Sequence, residues 1–276
     1  MLTISIYNSQ NLLQATASGK EAVLVYQPEY RPGDYITVAC HQEDTFLILR
    51  LDDALAEAFV FLKGGCCRYD IPFGEARKVF SERAFRGNRH YLHARLARPE
   101  EIACRKNLAR NPYATHTPGG PMPFASANVE TRGEMVFAAK NAIDGLKANH
   151  FHGEWPFTSW GINRDPKAAW RLDFGRRVRI DEAVIFLRAD FPHDAWWRQA
   201  TLHFSDGSHI RLDLEKTDAG QRFRFPEKQT EWVVLDQLIK AEDPSPFPAL
   251  TQLELWGTED SGRHSGGTPS PVPSLV

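Results

Sequence analysis

Apolar and polar residues alternate along much of the chain with a period of two, the spacing of a half-buried β-strand. In the first part, Glu21–Tyr26, Tyr35–Ala39, Thr45–Leu51, Ala58–Leu62 and His90–Leu96 read as strands. In the last of these, Leu92, Ala94 and Leu96 share one face, and Tyr91, His93 and Arg95 the other. Pro32-Gly33-Asp34 predicts a turn, and Pro99 at the head of Pro99–Ile102 predicts a single helical turn. In the second part, Ala183–Leu187, Thr201–Phe204, His209–Leu214, Arg222–Phe225, Glu231–Leu235 and Leu250–Trp256 read the same way. Ser205-Asp206-Gly207-Ser208 predicts a tight hairpin, because Asp-Gly supplies the positive φ such a turn needs. Short strands between Gly/Pro turns suggest a sandwich in the first part, and roughly eight strands in about 135 residues fit a jelly roll in the second.

The expected fold is therefore all-β, with two β-sandwich domains. Asn111–Pro123 holds four prolines and the pair Gly119-Gly120, which neither a helix nor a central strand accommodates. It reads as a linker or domain-crossing loop between an N-terminal domain (1–110) and a jelly-roll domain (124–257). Residues 258–276 are rich in Gly, Ser and Pro with few apolar groups, and are expected to form a disordered tail. Aromatic usage supports the division. All seven tyrosines lie at or before Tyr113, and all seven tryptophans between Trp155 and Trp256.

Composition narrows the function classes. The 276 residues are 42% hydrophobic and 25% charged with a formal net charge of −2, which lacks the basic footprint of a nucleic-acid binder. Apolar runs such as Phe46–Leu49 are too short to cross a bilayer. Met1–Asn8 has neither a basic nor a long apolar signal region, so a cytoplasmic location is expected. The four cysteines show no C-x-x-C spacing, which argues against structural zinc and for reduced, packed thiols. No G-x-S-x-G, Walker loop, H-E-x-x-H or dinucleotide fingerprint occurs. The balance leans away from an enzyme, although paired carboxylates carry no linear motif.

Asn141-Ala-Ile-Asp144-Gly145, then Thr158-Ser-Trp160, then Trp170-Arg-Leu-Asp173-Phe-Gly175 follow one another in order. Phe204-Ser-Asp-Gly207 and the closing Glu254-Leu-Trp256-Gly257 complete the series. The series resembles the discoidin, or coagulation-factor type C, domain and the galactose-binding-like bacterial carbohydrate-binding modules that share its fold. The likeness spans about residues 124–257; Asp173-Phe174-Gly175 stands where the family has Asp-Leu-Gly. It implies a galactose-binding-like jelly roll, a non-catalytic ligand site in loops at one end of the sandwich, and core packing for Trp160 and Trp170. Many members carry a structural calcium beside the Asp-Gly turn. Asp144 matches its carboxylate, but Gln252 stands where a glutamate is common, and an amide is a weaker ligand for a hard cation. No cofactor is otherwise required.

Three loops carry the candidate chemistry. Arg188–Arg198 contains Arg188, Asp190, His193, Asp194, Trp196 and Trp197 between two strands. Adjacent tryptophans on an extended segment point oppositely, so one can enter the core while the other faces the loop mouth. An open indole covers apolar C–H faces of a sugar, and the charges bind hydroxyls or a carboxylate. The alternative is that both rings cap the sandwich end beside a local Arg188–Asp190 pair. A second loop, 148–156, offers His150 and His152. With His193 and a carboxylate these have the chemistry of a transition-metal site, but no Cys joins them, and polar sugar contacts or surface positions fit better. In the third loop Arg132 either clamps an anionic group or joins Glu130 and Glu134 in an ion-pair cluster.

The leading expectation is non-catalytic carbohydrate binding through Arg132, His152, Arg188, Asp190, His193, Asp194, Trp196 and Trp197. Arg132, Arg188 and Arg198 suggest an acidic sugar. The alternatives are a hydrolase or lyase with a site between the domains, and a protein–protein adaptor or oligomerisation scaffold. A homo-oligomer is compatible with each; neither nucleic acid nor a membrane is an expected partner.

Overall fold

Eight strands fill the first 96 residues: β1 (Leu2–Tyr7), β2 (Leu13–Gly19), β3 (Glu21–Tyr26), β4 (Tyr35–Cys40), β5 (Thr45–Arg50), β6 (Ala58–Leu62), β7 (Cys66–Asp70) and β8 (His90–Leu96). They form two antiparallel four-stranded sheets, ordered β2-β1-β4-β7 and β3-β8-β5-β6. Alternation decides which side chains face inward. Leu2, Ile4 and Ile6 of β1 and Ile36 and Val38 of β4 meet Leu24, Leu47, Leu49, Val60 and Leu92 of the other sheet in one shared core. Leu96, which shares a face with the buried Leu92 and Ala94, ends its strand exposed. This structure is a computed structural model, and it describes residues 1–150, 153–189, 195–243 and 245–260.

A short helix α1 (Pro99–Ala103) leads to β9 (Lys106–Asn107), β10 (Phe124–Ala127), β11 (Trp160–Gly161), β12 (Trp170–Leu187), β13 (Trp197–Phe204), β14 (His209–Asp213), β15 (Gln221–Lys240) and β16 (Ala249–Glu259). These make one antiparallel sheet ordered β11-β16-β12-β15-β13-β14, with β10 on β12 and β9 on β16. β12 and β15 are long because each continues through an irregularity. Their register shifts between Asp173 and Val178 and again between Ile180 and Glu182. The shifts let one strand change neighbours along its length: β12 pairs with β10 through 170–173 and with β16 through 178–187. The sheet closes around a second core that includes Trp160, Trp170, Phe174, Trp197 and Phe204. The expected hairpin is present between β13 and β14, where Gly207 has φ 84° and Ser208 N–H donates to the Asp206 carboxylate at 2.8 Å.

The proline-rich stretch 111–123 is packed against both halves. Asn111 is fully buried and its amide donates to the Pro121 and Pro123 carbonyls at 2.8 and 2.9 Å. Tyr113 reaches back to the Ala56 carbonyl, 3.1 Å away. Met122 exchanges two backbone hydrogen bonds with Phe61 of β6. The chain joins the C-terminal sheet before this stretch, at β9, where Leu108 N–H donates to the Leu255 carbonyl at 2.7 Å. β16 continues through Thr258 and Glu259, so the sheet takes in the first residues of the segment read as a tail; residues 261–276 lie outside those described.

Candidate functional site

The loops at one end of the C-terminal sheet are pinned by its core tryptophans. Both Trp160 and Trp170 are fully buried, and each indole N–H finds a loop carbonyl: Trp160 that of Val129 at 3.0 Å, Trp170 that of Ala139 at 2.9 Å. A buried indole needs such a partner, so core packing also fixes the path of residues 129–139. Gly161 lets that path close. A Cβ added there would lie 2.5 Å from Thr131 Oγ1, and that oxygen accepts the Asn163 N–H at 3.0 Å.

This closure leaves a concavity of about 250 Å³ lined by Arg132, Phe137, Ser159, Asn163, Arg188 and Phe247, among others. Arg188, 2% exposed at the end of β12, donates from Nη1 to the Phe157 carbonyl at 2.5 Å, and its backbone N–H donates to Ala249. Arg132 stands at φ 55° in a 3-10 turn and holds Glu134 with two bonds of 2.6 and 2.9 Å. That mutual pairing raises the Arg132 pKa and lowers that of Glu134. The Arg132 guanidinium also lies 5.5 Å from the centre of the Phe137 ring. Glu130 is not part of this pair. It accepts hydrogen bonds from His116 and from the Ala139 N–H, each at 2.8 Å. At the opposite rim Phe247 is 39% exposed, with the Arg164 guanidinium 4.3 Å from its ring centre.

Arg132 and Arg188, 56 positions apart, thus reach one pocket. The tryptophan pair behaves differently. Trp197 is 1% exposed and packs on Trp160, ring centres 6.2 Å apart, so its indole is a core group and not an open platform. Strict alternation would set Trp197 opposite Ala200, Leu202 and Phe204, but register shifts on either side of Gln199 interrupt β13 and bring its ring into the same core. Trp196 is half-buried and packs against the same core. His152, Asp190, His193 and Asp194 lie outside the described residues. The aromatic groups at the pocket are Phe137 and Phe247, neither singled out by sequence. Phe247 had a signal: it sits in Ser245-Pro-Phe-Pro248, where flanking prolines keep it out of a central strand.

The Asp144–Gly145 turn lies elsewhere, near the seam with the N-terminal sandwich. Asp144 accepts the Leu146 N–H at 2.7 Å, and the Gly145 N–H donates to the buried Gln252 amide oxygen at 3.1 Å. Burial pushes the Asp144 carboxyl up to about 7, although Lys140 and Arg110 pull it down. Burial likewise pushes the Lys140 ammonium down to about 8, against the pull of Asp144 and Glu130. A hard divalent cation takes six to eight oxygens, carboxylates prominent among them. Here one carboxylate faces two cationic side chains, and the Gln252 oxygen already accepts an N–H. No group of three or more His, Cys, Asp or Glu side chains suited to a metal occurs among the described residues. The residues present do not fit calcium.

No family model and no curated protein matches the sequence. Several solved structures are similar to part of the chain. A family 32 carbohydrate-binding module from Clostridium perfringens in complex with galactose is 17% identical, with a TM-score of 0.37, over 48% of this chain and 91% of that one. Chitosan-binding module 1 of a chitosanase/glucanase from Paenibacillus sp. IK-5 is 17% identical, with a TM-score of 0.39, over 55% and 99%. A fucose-binding module from Streptococcus pneumoniae is 14% identical, with a TM-score of 0.39, over 56% and 99%.

Proposed function

We propose that this chain is a non-catalytic carbohydrate-binding protein that holds a saccharide at the end loops of its C-terminal sandwich. The observation that carries this reading is the convergence of Arg132 and Arg188 with Phe137 and Phe247 on one concavity. An aromatic ring covers the apolar C–H face of a sugar, and a guanidinium fork binds neighbouring hydroxyls or a carboxylate. Phe247 is the stacking ring, because it is the more exposed of the two. Arg132, already oriented by Glu134, supplies the exposed polar contact, and Arg188 the buried one. Two arginines on one small pocket favour an acidic sugar over a neutral one. The motif order of residues 124–257, which resembles that of discoidin-like modules, supports the same reading.

A glycan array probed with the full chain, followed by calorimetric titration of the strongest ligand, tests it. At least one saccharide is expected to bind saturably. Phe247→Ala and Arg132→Ala should each weaken it tenfold or more, about 1.4 kcal/mol, without lowering the thermal midpoint. Unchanged affinity in both variants would move the ligand elsewhere. A blank array with a stable protein partner in pull-down would favour an adaptor.

A further inference from the structure

A second concavity, of about 220 Å³, lies at the seam between the sandwiches. Ala54, Leu55 and Phe80 bound it on the N-terminal side, and Lys140, Asp144 and Trp155 on the other. It shares no lining residue with the end-loop pocket.

Lys140 is 8% exposed and lines this cavity. Its ammonium lies 5.1 Å from the centre of the Phe80 ring, and it donates no hydrogen bond to any described residue. A ring face satisfies a buried ammonium only in part, since three N–H donors need acceptors. Asp144 faces the same space; it accepts the Leu146 N–H and has the Thr158 hydroxyl as a second donor, and since a carboxylate offers about four acceptor sites it has capacity left. Trp155 is the one exposed tryptophan among the described residues, and it stands at this cavity. An ammonium with donors to spare, a carboxylate with acceptor capacity to spare and an open indole therefore border one small space.

The ligand chemistry follows by elimination. A simple anion would meet Asp144, and a simple cation would meet Lys140 and Arg110. A hydroxyl oxygen accepts from an ammonium while its proton goes to a carboxylate, so adjacent hydroxyls satisfy both groups together. An apolar ligand would leave both unsatisfied. Pockets for drug-sized ligands run to about 300–1,000 Å³, so a cavity below that range suits a single ring. We propose that this seam cavity is a second saccharide site, taking one pyranose ring, with Trp155 against its apolar face and Lys140 and Asp144 on adjacent hydroxyls. The site is independent of the end-loop pocket.

The test titrates galactose, glucose, mannose and N-acetylglucosamine separately into the full chain, read by tryptophan fluorescence and saturation-transfer NMR. At least one of the four is expected to bind saturably in the millimolar range. Trp155→Ala and Lys140→Met should each weaken that event at least tenfold, while Phe247→Ala leaves it unchanged. Thermal midpoints report on the fold, and Trp155→Ala, at an exposed position, keeps the test decisive if Lys140→Met does not fold. Absence of saturable binding by all four sugars overturns the site, as does undiminished binding in Trp155→Ala. A sugar lost in Phe247→Ala but kept in Trp155→Ala belongs to the end loops and also rejects the seam site. Loss in both seam variants, with an array ligand indifferent to Phe247 and Arg132, would uphold the seam site and reject the end-loop reading.

Discussion

Arg176 and Glu259 form a buried two-pronged ion pair, Nε to Oε2 at 2.7 Å and Nη2 to Oε1 at 2.6 Å. The remaining reach of the guanidinium, from Nη1, goes to the Phe174 carbonyl at 2.8 Å. Its centre lies 5.2 Å from the Phe46 ring and 5.3 Å from the Phe61 ring, both on the N-terminal sandwich. One side chain of β12 thus ties β16 to the sheet of the other half. A planar, always charged fork suits this place, and a lysine cannot reproduce it.

Glu259→Gln should therefore be costly, because it leaves the Arg176 charge buried without its counter-ion. Breaking a buried pair in this way costs about 3–5 kcal/mol. Denaturant unfolding, followed by separate probes of the two halves, measures it. A loss under about 1 kcal/mol, the range of exposed pairs, would mean that water reaches the site.

The two adjacent tryptophans should separate in the same experiment. Trp197→Ala removes a buried ring that packs on Trp160, and large-to-small changes of this kind cost about 3–5 kcal/mol. Trp196→Ala, at a half-buried position, should cost clearly less. Equal costs would contradict the inward placement of Trp197 alone.

The burial of Trp197 shows where sequence reading reaches its limit. Pattern located β3, β6 and β8 with their observed bounds: β3 has one wet and one dry face, whereas β6 is a short apolar run and β8 keeps Leu92 and Ala94 buried on one side. It passed over β2, whose pattern has no buried position and so leaves no hydrophobic trace. It caught only Ala183–Leu187 of β12 and divided β15 in two, since Gly175-Arg-Arg177 and Pro226-Glu-Lys228 look like interruptions, whereas register shifts carry the strands through them. At the site, Arg132 and Arg188 were legible as chemistry, because a guanidinium in an end loop is a recognisable binding group. The partner of Trp197 and the rim position of Phe247 were not. Both depend on contacts between segments far apart in the chain, and local pattern carries no information about those.

The His116–Glu130 contact predicts a pH window. The hydrogen bond to Glu130 holds the His116 imidazole above its ordinary value. Burial would raise the Glu130 carboxyl, but His116 and the Ala139 N–H outweigh that and hold it below its usual range. The stability from His116 is full below about pH 6.5 and is lost as pH rises through its folded value. The stability from Glu130 is full above about pH 4.3 and is lost as pH falls through its folded value. The pair should thus contribute most between those limits, by no more than about 1 kcal/mol because His116 is half-exposed. His116→Gln should flatten the decline in thermal midpoint above pH 6.5; an unaltered pH profile would show the contact to be energetically silent.

Calcium should leave the chain indifferent. Asp144 lies near Lys140 and Arg110, whose charges already offset its own, and burial pushes its carboxyl up, which disfavours the anionic form a hard cation needs. Gln252 adds an amide oxygen that already accepts the Gly145 N–H. A cation bound at 100 times its dissociation constant would add about 2.7 kcal/mol. In a chain of this size each kcal/mol moves the thermal midpoint by roughly 2–4 °C, so occupancy would be plain in a melt. Melts in excess EDTA and in millimolar calcium are expected to coincide. The double variant Lys140→Met, Gln252→Glu removes one cation and adds a carboxylate, and its midpoint should rise with calcium if these two residues are what exclude the ion. A calcium-dependent rise in the unsubstituted chain would show instead that the turn binds the ion despite its neighbouring charges.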